Sequence, residues 1–235
     1  MCKPRLVGLV VLSLLSVSTL VFAEQPPIID RPIQFGQQRV DLTLQYIRRH
    51  YGINAKTITI VPQAIVIHWT GTRSLKATWR GFNRTQIRSS RRYIARGGAL
   101  NVSAHFLVDR DGTIYRLMPE TWMARHCIGL NYDSVGIENI GGGKAGKLTK
   151  AQLDANVDLV HYLSKKHNIR YLLGHMEWRN FEKAPFFRER DPTYRNTKAD
   201  PGRKFMRKLR ARLKALDLRG VYRSYKSEKK LQRER

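Results

Sequence analysis

The sequence predicts an α/β domain with a central β-sheet, on three observations. Ala64-Ile65-Val66-Ile67-His68 is an apolar run without polar alternation, as expected of a strand buried on both faces. The runs 102–108 and 113–118 are β-prone and joined by Asp109-Arg110-Asp111-Gly112, where Asp-Gly supplies the positive φ of a tight hairpin. Thr149 and Gln152 form a capping box, and Ala151, Leu153, Val157, Val160 and Leu163 carry a helical stripe to about His167. Strands interleaved with helices in this way build a sheet with helices packed on it.

In chain order, Lys3 and Arg5 precede an apolar or weakly polar stretch from Leu6 to Phe22. Val21 and Ala23 then occupy the small-residue positions of an A-x-A-like cleavage site. Residues 1–23 are expected to be a secretory signal peptide, with an uncleaved membrane anchor as the alternative, because the apolar stretch approaches a minimal span. Cys2 lies ahead of the apolar run, whereas a lipid-anchor cysteine would follow it. Residues 24–55 read as an N-terminal arm, Pro- and Gln-rich over 24–37, followed by a short helix over 40–51 that Gly52 ends. Residues 56–216 hold the α/β domain, with further strands over 134–140 and 171–174 and a last helix after Pro201 carrying Phe205, Leu209, Leu213 and Leu216. Residues 217–235 are expected to be a basic, flexible tail, from composition alone.

Charge narrows the partners. The 235 residues hold 44 Lys+Arg against 18 Asp+Glu, far beyond what solubility needs, so a polyanionic partner is expected. The signal-peptide pattern directs that expectation away from nucleic acid, for which no recognition motif is present either, and toward anionic polymers of a cell envelope. The expected location is periplasmic or extracellular, with no stable membrane span after cleavage. Cys127 is the one cysteine left after residue 23, so no internal disulfide staples the fold, and a small buried residue is its simplest reading.

Two histidines stand where chemistry is to be expected. His68 follows Ile65-Val66-Ile67, and His175 follows Leu172-Leu173-Gly174, so both imidazoles fall at the rim of a sheet. Singly, each is more often a hydrogen-bonded structural histidine; matching contexts favour a shared metal. A catalytic Zn²⁺ takes three protein ligands and leaves one position open. Asp200, in Lys198-Ala199-Asp200-Pro201-Gly202, is the best third ligand, with helix N-capping ahead of a proline as the competing role. Glu189 and Asp191 are lesser rivals without the Pro-Gly context.

At this point the residues resemble a family. Ala64-Ile65-Val66-Ile67-His68-Trp69-Thr70, the block 101–115 around His105, Arg125-His126 with Gly129-Leu130-Asn131, Ser134-Val135-Gly136-Ile137-Glu138, Gly174-His175 and Lys198-Ala199-Asp200-Pro201-Gly202 look like successive blocks of the type 2 N-acetylmuramoyl-L-alanine amidases. That family is related to the peptidoglycan recognition proteins. The blocks are in family order over about residues 60 to 205; each is weakly specific and the ordered set is strong.

The resemblance implies a single domain with a mixed central β-sheet flanked by helices and one zinc ion in a surface groove. It implies cleavage of the amide between N-acetylmuramic acid and L-alanine in peptidoglycan or muropeptides, with a non-catalytic peptidoglycan-binding module as the alternative. It places zinc ligands at His68, His175 and Asp200, an acid/base carboxylate at Glu138 and a catalytic lysine at Lys198. His126, Asn131 and Trp69 fall where the family approaches its substrate. His126 is expected to line the groove without ligating, and His105 to be a packed histidine. Ala104 and Asp200 match the family's aspartate-ligand subgroup, while Met176-Glu177-Trp178 departs from it. The long aromatic segment between His175 and Asp200 is expected to line one wall of the groove.

Overall fold

The computed structural model describes residues 25–222. The signal-peptide reading of residues 1–23 and the tail beyond Tyr222 lie outside the described residues. Six strands form one mixed sheet in the order β1-β4-β3-β5-β2-β6. They are β1 (Ile28–Asp30), β2 (Ala64–Trp69), β3 (Phe106–Val108), β4 (Ile114–Arg116), β5 (Ser134–Asn139) and β6 (Tyr171–Gly174). Only the β3–β4 hairpin is antiparallel; β1–β4, β3–β5, β5–β2 and β2–β6 all run parallel. The hairpin closes as its Asp-Gly turn requires, with Gly112 at φ +94° and Asp109 N–H donating to the Thr113 carbonyl at 2.9 Å.

Helix α1 (Gln37–Tyr46) runs on through a π-helical turn, Ile47–Tyr51, and stops at Gly52 in the left-handed region. Helices α2 (Leu75–Asn83) and α3 (Arg92–Ala95) come between β2 and β3. Helix α4 (Lys150–Lys166) starts at the capping box, where the Thr149 side chain and the Gln152 side chain each serve the other's backbone N–H at 3.0 Å. Helix α5 is Arg203–Arg212.

Alternation along the inner strands divides the core. Ile65, Ile67, Val135, Ile137 and Leu172 face α4 and α5, meeting Val160, Leu163, Met206 and Leu209. Ala64, Val66, Tyr171 and Leu173 face the other way, onto Cys127, Leu130, Trp178 and Phe181. Burial on both faces explains why β2 reads as an unbroken apolar run.

The structure adds to the sequence reading in three places. The arm over 24–37 contains a strand: Ile28–Asp30 pair with β4, and Ile33 is buried beside Leu107 and Leu117. Pro27 and Pro32 flank it, which an edge strand tolerates because one side of its backbone needs no partner. The stretch between β2 and β3 carried no clear signal yet holds α2, whose N-cap Ser74 side chain accepts from Ala77 N–H at 3.1 Å. The domain also runs past residue 216. Leu172 N–H donates to the Arg219 carbonyl at 2.9 Å and Tyr222 packs on Phe186, so the chain bridges to β6 at Arg219 and stays on the domain to Tyr222. No helix among the described residues is long and apolar enough to cross a membrane.

Candidate functional site

Strand register assembles the site. In β2 and β5, Ala64 stands opposite Ser134 and His68 opposite Glu138; in β2 and β6, Ala64 stands opposite Tyr171 and Ile67 opposite Gly174. One step further on each strand, the side chains that leave the α4/α5 face are His68, Glu138 and His175. All three therefore emerge on one face at the carboxyl ends of parallel strands, where an open α/β sheet forms its crevice.

His68 Nδ1, His175 Nδ1 and Asp200 Oδ2 converge as a triangle with edges of 2.9, 3.2 and 3.1 Å. Ligands about 2.0–2.1 Å from a tetrahedral Zn²⁺ lie about 3.3–3.4 Å apart, so the triangle is close to one face of that tetrahedron. Among the described residues this is the one group of three such ligands. All three side chains are buried.

Protonation states suit a cation. Burial would raise the Asp200 carboxyl, but hydrogen bonds and charge from His175 and His68 outweigh it and hold the group far below the usual carboxylate range. His175 is lowered to about 4 by burial, then by His68, with Asp200 opposing. An ionised carboxylate and a neutral imidazole are the forms that ligate.

Asp200 is placed by its loop. Met176 N–H donates to its carbonyl at 2.8 Å, and Gly174 leaves room for Pro201, whose Cδ would lie 2.7 Å from a Cβ there. The N-cap of α5 is Gly202, so capping does not claim the Asp200 carboxylate. Its oxygen instead faces the Nδ1 atoms of the two histidines.

Glu138 is half-buried, and its Oε2 is enclosed without a hydrogen-bond partner among the described residues. Burial pushes its carboxyl up to about 7, against the pull of His68 and Lys198. Lys198, Trp69, His126 and Asn131 line the same cavity of about 490 Å³ as the three converging side chains. Trp69 also lies on Gly142, where a Cβ would come within 2.2 Å of the indole. Asn131 holds a loop: its Oδ1 accepts from His126 N–H at 2.7 Å and Cys127 N–H at 2.6 Å, while its Nδ2 donates to Tyr51 Oη at 2.8 Å.

Other expected residues sort by their partners. His105 is a packed histidine, bonded to the Trp122 carbonyl at 2.8 Å and to Gly136 N–H at 2.9 Å. Cys127 is buried, with no disulfide partner among the described residues. Glu189 is not near the triangle; it pairs with His50 at 2.9 Å, and exposed Asp191 serves the Thr193 backbone and hydroxyl. The aromatic segment mostly leaves the groove: Trp178, Phe181 and Phe186 join the core under Val66 and Leu173, and Tyr194 and Asn196 reach the cavity. Glu177 has a structural task, accepting from Gly174 N–H at 2.8 Å and from Arg210 at 3.0 Å.

Sequence reasoning missed one wall. Arg84, Arg88 and Arg91 line the cavity from the α2–α3 segment. The available signal was the absence of any Asp or Glu between Asp41 and Asp109.

Both the sequence and the fold have known relatives. A family model described as N-acetylmuramoyl-L-alanine amidase matches residues 54–203. The endolysin of Escherichia phage T7 is 29% identical over 119 residues, covering 48% of this chain and 74% of that protein. The endolysin of Enterobacteria phage T3 is 28% identical over 118 residues, with the same coverage of 48% and 74%. Among solved structures, the amidase LysC from Clostridium intestinale URNW matches in fold with a TM-score of 0.52 at 21% identity, covering 80% of this chain and 98% of that one.

Proposed function

Because the chain belongs to the N-acetylmuramoyl-L-alanine amidase family and is a peptidoglycan amidase, we propose that it is an exported, zinc-dependent enzyme that cuts between N-acetylmuramic acid and L-alanine with Glu138 and Lys198. The observation that carries this reading is the convergence of His68 Nδ1, His175 Nδ1 and Asp200 Oδ2 beside an unpartnered Glu138 Oε2.

His68, His175 and Asp200 hold the ion. When bound, Zn²⁺ supplies Lewis acidity toward the scissile carbonyl and the attacking water. Glu138 takes the water proton at Oε2 and returns it to the leaving amine of L-alanine. Its raised proton affinity suits both halves of that task. Lys198 sets positive charge against the oxygen on which negative charge develops. Trp69 and His126 bound the space the sugar–peptide junction enters. Arg84, Arg88 and Arg91 match the free carboxylates of a peptide stem.

A module that only held peptidoglycan would have no use for Glu138 beside three convergent ligands, which favours the enzyme. Export rests on the pattern of residues 1–23. Association with anionic envelope polymers rests on the net charge and on the exposed face of α5, where Arg203, Lys204, Arg207 and Lys208 lack an acidic partner among the described residues.

Mass spectrometry of purified peptidoglycan after incubation with zinc-loaded protein tests the reaction. Free stem peptides beginning with L-alanine, intact glycan chains and loss of release on chelation are the expected result. Unchanged peptidoglycan at confirmed metal occupancy would establish the binding module instead.

A further inference from the structure

We infer that His126 is a positioning residue for the metal site: it accepts a hydrogen bond from His68 Nε2 and so holds His68 with Nδ1 turned to the ion. The inference rests on the zinc reading above and adds a residue outside the ligand set.

The two rings meet edge to face, with His68 Nε2 3.1 Å from His126 Nδ1, centroids 5.2 Å apart and planes at 88°. Which nitrogen carries the proton follows from the far side of His126. Its Nε2 lies 3.4 Å from the Ser134 carbonyl and 3.3 Å from Ser134 Oγ. Ser134 Oγ–H is already donated to the Leu130 carbonyl at 2.7 Å. Both groups facing Nε2 are therefore acceptors, so in the neutral ring Nε2 bears the proton and Nδ1 is left as a lone pair. His68 Nε2 must then be the donor, which leaves the lone pair of His68 on Nδ1, the atom that meets His175 and Asp200. A protein carbonyl thus selects the ligating tautomer of His68 through one intervening imidazole, the part that a carboxylate or carbonyl plays directly in other zinc sites.

The fold builds His126 into this position. Both backbone amides that begin its loop, His126 N–H and Cys127 N–H, are held by Asn131 Oδ1. Gly136, on β5 beneath the ring, leaves the space it needs; a Cβ there would sit 2.7 Å from His126 Cγ. His105 stands on the other side, ring centroids 5.9 Å apart, and fixes the floor.

The test is zinc affinity of the full chain, read by competition with a chromophoric chelator, together with melting of the metal-free protein. His126→Leu removes the acceptor at similar volume and should weaken zinc binding by about 10–100-fold. His126→Asn keeps an acceptor oxygen near the Nδ1 position and should recover most of that loss, with both variants melting alike when metal-free. Equal affinity of His126→Leu and the unaltered chain would overturn the inference. So would an equal loss in both variants, because shape rather than the hydrogen bond would then be responsible. Failure of the unaltered chain to bind zinc would refute the metal reading itself.

Discussion

Glu138 stands directly opposite His68 in the β2–β5 ladder, yet its enclosed Oε2 has no hydrogen-bond partner among the described residues. A buried acceptor left unsatisfied costs about 1–3 kcal/mol, so the position is not explained by stability. Replacing the charge should separate chemistry from folding. Glu138→Gln is expected to lower kcat by about 10²–10⁴-fold, the range for general acid–base groups, while zinc affinity changes little and the melting temperature holds or rises. Steady-state hydrolysis of a muropeptide, with metal content measured on the same sample, checks it; unchanged kcat would remove Glu138 from the reaction.

His105 gives a pH dependence that belongs to the fold. Burial lowers it to about 4, against the help of the Trp122 carbonyl, and Gly136 N–H points at the nitrogen that a second proton would occupy. The unfolded histidine titrates near 6.5, so between about 6.5 and 4 the unfolded chain binds the extra proton. Stability contributed by neutral His105 is present above about pH 6.5 and falls on the order of 3 kcal/mol as pH drops toward 4. Urea unfolding across this interval should show a steeper pH slope for the unaltered chain than for His105→Gln, by close to one proton. Equal slopes would refute the assignment.

The inner strands and the triangle were legible because one physical cause produced both signals. Strands buried on both faces must be apolar throughout, and a histidine ending such a run stands out. The parallel register that brings His68, Glu138 and His175 level was not legible, since it arises from pairing between distant segments. Strand β1 was hidden by its prolines, which an edge position permits. Helix α2 was hidden because Leu75, Trp79 and Phe82 are scattered among cations. Glu189 could not be separated from Asp200 by spacing; its partner, His50, lies 139 positions away.

That pair makes its own prediction. His50 Nδ1 lies 2.9 Å from Glu189 Oε2 and His50 Nε2 2.9 Å from the Gly97 carbonyl, while Tyr46 stacks on the ring at 4.2 Å. Both ring nitrogens face acceptors, and the ring and the carboxylate are both buried. Deleting one member of such a pair costs about 3–5 kcal/mol because the other is left alone. Glu189→Ala should therefore lower unfolding free energy by roughly that amount in chemical denaturation, without lowering zinc affinity. A loss under about 1 kcal/mol, well below the cost of an orphaned buried charge, would show that water solvates the site.

The exposed face of α5 tests the role of the charge. Arg203, Lys204, Arg207 and Lys208 fall on one side of the helix, opposite Met206 and Leu209, which enter the core. Among the described residues the large exposed apolar side chains are Ile29 and Val61, neither on α5, so this face has no apolar wedge for a bilayer and suits a soluble polyanion. Replacing all four cations with Gln should leave hydrolysis of small soluble muropeptides unchanged, since none of the four lines the cavity. Binding to whole sacculi should weaken several-fold at low salt, and the difference should shrink as ionic strength approaches 0.15 M, where charges beyond about 8 Å are screened. Equal sedimentation of both proteins with sacculi at every salt concentration would mean that the groove, and not the helix, holds the enzyme on the wall.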